Sequence, residues 1–246
     1  MGLLSGAAEA QSVSQIKLEL PDAPVAAVDS SSAGFNFPDF EAAQKQHVSH
    51  TASARAIASP YDKLVAPNEQ APTLSAKDKL VMGAKDSITP FSAVSWLASA
   101  GWSHLTDGPP NYGTDSGAFG QRLGAAAIHG ISEDIFTTSI MSNVFREDPR
   151  YYKLGRSHSI KQRIIYAAMR PLITRTDSGR TTPNLALLTG YLAGSALTNA
   201  YYPDKNHGFG ETMQIYGSSI GGSALGFGVS EFLSDALEIV HLKKRE

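Results

Sequence analysis

The sequence predicts an all-α protein, a glycine-rich helical bundle of about five or six helices behind an extended N-terminal tail. Two observations support this fold class. Residues 76–246 place apolar residues at helical spacings of three and four positions, whereas the alternation typical of a strand is nearly absent. In addition, 18 of the 22 glycines lie at or after Gly101, within segments that otherwise favour helix. The chain therefore divides into a tail, residues 1–75, and a helical domain, residues 76–246.

The tail is recognised by its composition. Residues 11–75 are rich in Ala, Ser, Pro and Gln and lack a sustained period, which predicts an extended or flexible chain. Residues 1–10 end in an Ala-Glu-Ala motif after a short apolar run, which suits a signal-peptide remnant and, equally, an ordinary terminus. The aromatic segment FNFPDF, Phe35–Phe40, is able to dock into a groove on a neighbour or on the chain's own body. Short helices are possible at Asp39–Ser49 and Ala76–Lys85.

The first half of the domain contains two long helical patterns. TPFSAVSWLASAGWSHL begins with Thr89 as N-cap and Pro90 at the first helical position, a favourable helix start. The loop DGPPNYG follows. From Thr114 to Phe145 the pattern predicts one long helix or two, ending before REDPRYY.

The second half repeats the alternation of helix and loop. SHSIKQRIIYAAMRPLI predicts an amphipathic helix that is interrupted near Pro171, and TRTDSGRTTP predicts a turn-rich loop. A helix over NLALLTGYLAGSALTNA ends at YYPDKNHG. The last helix includes YGSSIGGSALGFG and finishes in HLKKRE, where basic residues complement the helix dipole.

Three of these helices carry glycine at i, i+4 spacing, a glycine-zipper pattern that predicts close packing of helix backbones. Such packing is typical of membrane helices, but a compact soluble bundle and a homo-oligomer also use it. The uncharged segments Thr181–Pro203 and Thr212–Ser230 favour a membrane span only weakly, because Gly, Ser, Thr and Asn dilute them. The predicted packing residues are Gly120, Gly124, Gly190, Gly194, Gly217, Gly221, Gly222, Gly226 and Gly228.

Charge is unevenly distributed along the chain. The net charge is −2, yet the segment 146–180 holds nine basic and three acidic residues. This basic segment predicts contact with phosphate groups or anionic lipid, the alternatives being a solvated face and structural ion pairs. Nucleic acid is not a predicted partner, because no nucleic-acid-binding motif accompanies the charge. The candidate ligand-binding residues are Arg146, Arg150, Arg170, Arg175, Asp177, Ser178 and Arg180.

Two further patterns bear on chemistry. The residues Arg170-Pro171 and TDSGR resemble membrane phosphatases of the phosphatidic-acid phosphatase type, but Arg180 follows Gly179 where that family has a histidine, which argues against the activity. His129 and Glu133 are four apart on a predicted helix, close enough to bind one metal or share a proton. An ordinary polar helix face is the alternative for this pair.

Several functional classes are excluded. The chain has no cysteine, which excludes disulfides, thiolate metal sites and thiol catalysis and fits an exported protein. It has no Walker loop, no dinucleotide-binding fingerprint and no G-x-S-x-G motif. The sequence therefore predicts no cofactor and no catalytic residue.

A set of motifs gives the chain a family resemblance. NYGTDSGAFGQRLGAA, EDPRYYKLGRSHS, TRTDSGRTTPN, TNAYYP and GSSIGGSALGFGVSEF occur in this order. With them, the chain from about Lys77 to its end resembles a family of bacterial proteins seen mostly in acidobacteria and without an assigned activity. The resemblance implies a helical, exported domain and adds no catalytic residue.

These observations lead to one principal expectation and two alternatives. The principal expectation is a non-enzymatic structural or interaction protein of the cell envelope, exported and membrane-associated or oligomeric through its glycine-faced helices. One alternative is an enzyme or binding protein for phosphate-bearing or lipid-like ligands that uses the segment 146–180. The other is a metal- or small-ligand-binding helical bundle centred on His129 and Glu133. Expected partners are a second copy, another protein or an anionic membrane.

Overall fold

The computed structural model describes residues 56–239 of the chain. The sequence-based expectations for residues 1–10, Phe35–Phe40, Asp39–Ser49 and the final HLKKRE lie outside the described residues.

Six α-helices of ten or more residues account for most of the described chain, so the mostly helical fold class is confirmed. A π-helical segment, Ile135–Met141, continues the third helix directly, and one α-helical turn, Ser142–Val144, follows it. Two 3-10 turns connect the fifth helix to the sixth. The helices are α1 (Ala76–Ser87), α2 (Pro90–Leu105), α3 (Ser116–Asp134), α4 (Ile160–Met169), α5 (Leu185–Leu197) and α6 (Phe209–Ile239).

Local sequence explains where most helices begin. Thr89 caps α2 by accepting a hydrogen bond from Ser92 N, and Pro90 is the first helical residue, as the sequence predicts. Asp115 and Asn184 cap α3 and α5 in the same way. The helix predicted from Thr114 to Phe145 corresponds to α3 and its π-helical continuation. Ser75 and Ser159 form full capping boxes at α1 and α4.

Short strands form in two segments for which the sequence predicts none. TRTDSGRTTP, predicted as a loop, forms a β-hairpin, and EDPRYY contains a strand on each side of Pro149 and Arg150. These strands have two to four residues, too few to show a period, so the sequence pattern missed them. The strands are β1 (Ala56–Ile57), β2 (Leu64–Val65), β3 (Glu69–Gln70), β4 (Glu147–Asp148), β5 (Tyr151–Tyr152), β6 (Ile173–Thr176) and β7 (Thr181–Pro183).

The strands form three small sheets. The parallel pair β1–β3 lies within residues 56–70, a part of the predicted tail, and the parallel pair β2–β5 joins this segment to the helical domain. Val65 is fully buried there, beside Tyr152 and Ala58. The third sheet is antiparallel, in the order β4–β6–β7, and its register places Asp148 opposite Arg175.

Large apolar residues are unusually few in the interior. Much of the buried volume is filled by small residues and by polar or charged side chains. The charged ones include Arg122, Arg150, Lys79 and Glu231. Conversely, α2 exposes several large apolar side chains, among them Trp102 at 72% and Leu105 at 84%.

No helix within residues 56–239 combines the length and the apolar character needed to cross a membrane. The uncharged segment Thr181–Pro203 is divided between β7, the 13-residue helix α5 and a 3-10 turn, which explains why it forms no span of about 20 residues. In Thr212–Ser230, glycines and serines dilute the apolar residues of α6.

Candidate functional site

Two of the predicted packing glycines bring α5 against α3. A methyl group at Gly190 would lie 2.7 Å from both the Cα and the backbone nitrogen of Thr137, in the π-helical segment. A methyl group at Gly194 would lie 2.7 Å from Cγ of Glu133. Because no side chain fits at either position, the two glycines let α5 press directly on Thr137 and Glu133. Glu133 is thereby held at the end of α3.

The other predicted packing glycines face open space. A methyl group at any of them would meet no atom within 4 Å outside its own helix. In the described chain, therefore, these predicted glycines of α3 and α6 make no close backbone packing with a neighbouring helix. These residues are Gly120, Gly124, Gly217, Gly221, Gly222, Gly226 and Gly228.

A cavity of about 700 Å3 lies between α2, α3 and α6. Its volume is within the range of small-molecule sites. Tyr191 of α5 and Tyr202 also border it, and exposed serines in its wall leave it open to solvent. Serines of α2 line one wall of the cavity, and serines and glycines of α6 line another. They are Ser92, Ser95, Ser99 and Ser103 on α2 and Ser218, Ser219, Gly222, Ser223 and Gly226 on α6.

The predicted pair His129 and Glu133 lies in this cavity, on α3. His129 Nε2 is 3.3 Å from Glu133 Oε1 and 3.3 Å from the hydroxyl of Ser219 on α6. The Ser219 hydroxyl also hydrogen-bonds the Glu133 carboxyl. Within residues 56–239, His129 Nδ1 and Glu133 Oε1 are buried and have no hydrogen-bond partner. Because such atoms are costly to leave unpaired, they indicate a missing partner in the cavity.

Burial makes this pair neutral at pH 7. It raises the pKa of Glu133 from 4.5 to about 8, against a smaller opposing effect of the Ser219 hydrogen bond. Burial also lowers the pKa of His129 from 6.5 to about 4. Glu133 is therefore a protonated carboxylic acid at pH 7, able to donate as well as accept a hydrogen bond, and His129 is an uncharged imidazole.

The geometry favours binding over nucleophilic catalysis. In a serine triad the acid holds one imidazole nitrogen and the serine the other. Here Ser219 and Glu133 both approach Nε2, and Nδ1 lacks a partner among the described residues. The metal alternative for this pair lacks ligands, since the described part of the chain contains no group of three His, Cys, Asp or Glu residues suited to a metal ion.

An ionic cluster borders the cavity. Lys63 Nζ lies 2.6 Å from Asp86 and 2.7 Å from Asp134 and so connects the segment after β1 with α1 and α3. Burial alone would lower the pKa of Lys63, but Asp134 and Asp86 raise it above its ordinary value. The two carboxylates thus share one cation within the protein. A smaller cavity of about 190 Å3 adjoins this cluster and shares Tyr191 and Ser223 with the larger one.

Arg122 closes one end of the cavity, a role that the sequence does not indicate. It is 1% exposed and donates hydrogen bonds to the backbone carbonyls of Gly108, Pro110 and Gly113 and to Ser103. These bonds fix the loop between α2 and α3. A lone arginine within GQRLGAA follows no motif, so sequence reasoning had no signal for this contact.

Most of the candidate ligand-binding residues in the basic segment 146–180 form ion pairs, hydrogen bonds or ring contacts within the protein. Arg150 pairs with Asp148 at 2.8 Å, and Arg170 donates to the carbonyls of Asp148 and Arg150. Arg175 lies over the ring of Tyr152. Asp177 forms an ion pair with the buried Lys79 at 2.7 Å. Arg146, Ser178 and Arg180 are exposed.

Comparisons with protein-family models, with curated proteins and with solved structures gave no match, so the function is argued from the site.

Proposed function

We propose that this chain is a non-enzymatic binding protein of the cell envelope, and that it takes a small uncharged molecule into the cavity between α2, α3 and α6. The observation that carries the proposal is His129 Nδ1, which is buried without a hydrogen-bond partner among residues 56–239, beside Glu133 at a cavity of about 700 Å3. The envelope location comes from sequence features alone, the absence of cysteine and the family resemblance.

The chemistry of the lining defines the ligand class. Serine hydroxyls, a neutral imidazole and a protonated carboxyl offer hydrogen bonds without net charge, while Trp96 and Tyr202 offer aromatic surface. The charged side chains of the described lining are engaged within the protein, because Lys63 pairs with Asp86 and Asp134 and Arg122 donates to carbonyls of the loop after α2. The ligand is therefore an uncharged molecule with several hydroxyl or amide groups and an apolar face, such as a nucleoside or a monosaccharide.

Binding is tested with a panel of neutral nucleosides and monosaccharides, each paired with a charged analogue, by ligand-observed NMR and by fluorescence of Trp96. Gly222→Leu fills the cavity and is expected to abolish binding. Gly221→Leu is the matched control, because its side chain would leave the same helix outside the cavity lining. Saturable binding of a neutral member, kept in Gly221→Leu and lost in Gly222→Leu, supports the proposal. Equal binding by both variants, or no binding by the wild-type protein, contradicts it.

A second candidate function, self-assembly, is favoured by the outer face of α2. Val94, Leu97, Trp102 and Leu105 are at least half exposed and follow helical spacing. Gly101 lies on the same face and meets no atom within 4 Å at its missing methyl position. A contiguous apolar surface of this kind marks an interaction site.

A second copy is the occupant that this face fits best. The sequence of α2 contains no Asp, Glu, Lys or Arg, so the face offers no electrostatic attraction to anionic lipid. An uncharged apolar face is complementary to itself, as two-fold dimerisation requires.

The molar mass in solution tests assembly. Light scattering is expected to show a dimer for the wild-type protein and a monomer for Leu97→Glu, whereas Ile160→Glu, on the exposed face of α4, leaves the dimer intact. A wild-type monomer at high concentration, or vesicle binding lost in Leu97→Glu, contradicts self-assembly.

A further inference from the structure

The sheet β4–β6–β7 contains an unusual cluster of buried arginines around one carboxylate. Asp148 accepts hydrogen bonds from Arg150 Nε and Nη2 and from the hydroxyl of Tyr152. Arg175, its cross-strand neighbour, reaches Asp148 Oδ2 at only 3.5 Å. Arg170 is also buried but donates to backbone carbonyls and to no carboxylate. Asp148 is thus the carboxylate that Arg150 and Arg175 share, and Arg170 contacts only its backbone carbonyl.

Neighbouring acids do not balance this charge. Asp177 is held by Lys79, which is 1% exposed. Glu147 accepts hydrogen bonds from the backbone nitrogens of Leu185 and Ala186 at the start of α5, and burial raises its pKa, so three guanidinium groups face at most two carboxylates here. Burial, together with the charge of Arg150, lowers the pKa of Arg175 to about 10 against the attraction of Asp148. The cluster therefore carries an excess of buried positive charge, which is costly unless an anion compensates it.

Two guanidinium nitrogens of the cluster lack a partner. Within residues 56–239, Arg150 Nη1 and Arg175 Nε are buried and make no hydrogen bond. Both arginines are more than nine-tenths buried, and both line a cavity of about 150 Å3. The cavity lies between residues 71–74 and the hairpin turn, where Thr176 and Ser178 contribute hydroxyl groups. Its volume is several times what one water molecule needs.

We propose that this cavity, the hairpin pocket, binds the phosphate group of a free phosphate or of a phosphate-bearing molecule. Unpaired guanidinium donors suit a tetrahedral oxyanion, and the hydroxyls of Thr176 and Ser178, which hydrogen-bond each other, leave one O–H free to donate. The two carboxylates in the lining oppose an anion, but each is already engaged by a cation, Asp148 by Arg150 and Asp177 by Lys79. This site is separate from the cavity at His129 and Glu133.

The experiment measures the thermal unfolding midpoint of the full chain in sodium phosphate and in sodium chloride of equal ionic strength. Phosphate is expected to raise Tm saturably, by about 5 °C at a hundred times its dissociation constant, because it binds the folded state. Vesicles containing phosphatidic acid form a second arm. If the protein sediments with these vesicles and free phosphate releases it, the bound phosphate group belongs to a lipid headgroup. If the protein binds phosphate but not the vesicles, the ligand is the free ion.

Substitutions at Ser178 test the assignment, because this exposed residue lies in the pocket lining. Ser178→Glu places a carboxylate beside the arginines. It is expected to raise Tm in phosphate-free buffer and to abolish the phosphate effect. Ser178→Gln, of equal size and no charge, is expected to do neither. Equal Tm values in phosphate and chloride, or a lower Tm for Ser178→Glu than for Ser178→Gln, would overturn the proposal.

Discussion

At the residue scale, His129 and Glu133 link stability to pH in opposite directions. Between pH 4.5 and 8 the folded protein keeps the proton of Glu133 that the unfolded chain loses, so the free energy of unfolding falls as pH rises. Between pH 4 and 6.5 the unfolded chain protonates His129 and the folded protein does not, so the free energy of unfolding rises with pH. Between pH 4.5 and 6.5 the two effects on stability oppose each other. Above pH 6.5 only the loss of stability caused by Glu133 remains.

Glu133→Gln is therefore expected to flatten the pH dependence of stability between pH 6.5 and 8, where Glu133 contributes a slope of up to about 1.4 kcal/mol per pH unit. The other ionisable groups around Glu133 are retained in the variant. They are His129, Asp134, Tyr191, Tyr201 and Tyr202, with Lys63 beside Asp134.

Urea unfolding at pH 6.5 and pH 8, followed by tryptophan fluorescence, measures this slope. Glu211→Gln, in the first turn of α6, serves as the control and is expected to keep the wild-type slope. Parallel curves for the wild-type protein and Glu133→Gln would show that Glu133 is ionised at pH 7.

Adding one methyl group is expected to have opposite effects on stability at two glycines that belong to the same type of i, i+4 pattern. Gly190→Ala places a methyl 2.7 Å from the backbone of Thr137 and is expected to destabilise the fold by about 1–3 kcal/mol through overpacking. Gly221→Ala meets open space and is expected to stabilise α6 by about 0.5–1 kcal/mol through helix propensity. Chemical unfolding measures the stability of both variants. A loss of stability in Gly221→Ala would mean that the face of α6 that carries Gly221 is covered.

At the element scale, Glu231 attaches α6 to α4 and to the chain after β5. It is fully buried, pairs with Arg163 Nε at 2.7 Å and accepts hydrogen bonds from Tyr151 and from the backbone of Leu154 and Gly155. Together with Phe232, which lies under Arg163, and Asp235, which also pairs with Arg163, this carboxylate orients the helix on α4.

Glu231→Gln is expected to lower the free energy of unfolding by about 1.5–3 kcal/mol, because Arg163 loses a fully buried charged partner and keeps only Asp235. Glu238→Gln, on the same helix, is the control. Its partner Arg156 is half exposed, so the expected loss is below about 1 kcal/mol. Guanidinium unfolding compares the two, and similar losses would argue against a special role for Glu231.

Helix limits were predictable from local chemistry, while the strands were not. Thr89, with Pro90, marks the start of α2 because a side-chain cap acts within one turn. The hairpin around Gly179 depends instead on β4, which is distant in the sequence and pairs with β6. Its four-residue strand carries no periodic signal, so tertiary pairing decided its conformation.

At the scale of the whole molecule, the sequence placed His129 and Glu133 together but could not show the cavity. Their i, i+4 spacing on one helix requires no knowledge of the fold. The cavity depends on α2 and α6 standing apart, which follows from contacts of other residues, such as Glu231 with Arg163. Likewise, the glycine spacing on α6 is the same whether the face is packed or open, so the pattern could not distinguish Gly190 from Gly221.

The arrangement of the helices also predicts where the molecule opens first. In the described chain α2 packs chiefly along α3, whereas α4 packs on α6 and is tied to it by the buried pair of Arg163 and Glu231. Few buried apolar contacts give a segment low local stability. We therefore expect amide hydrogens of α2 to exchange faster than those of α4 in the monomer.

Self-assembly through α2 would make this exchange depend on protein concentration. Hydrogen exchange followed by mass spectrometry is expected to slow in α2 as the wild-type protein is concentrated, because association stabilises the closed helix by mass action. Exchange in α4 is expected to stay constant, which controls for general effects of concentration. Leu97→Glu should keep α2 in fast exchange at every concentration, since a charge on the apolar face opposes association. Exchange in wild-type α2 that is independent of concentration would place the interface elsewhere on the molecule.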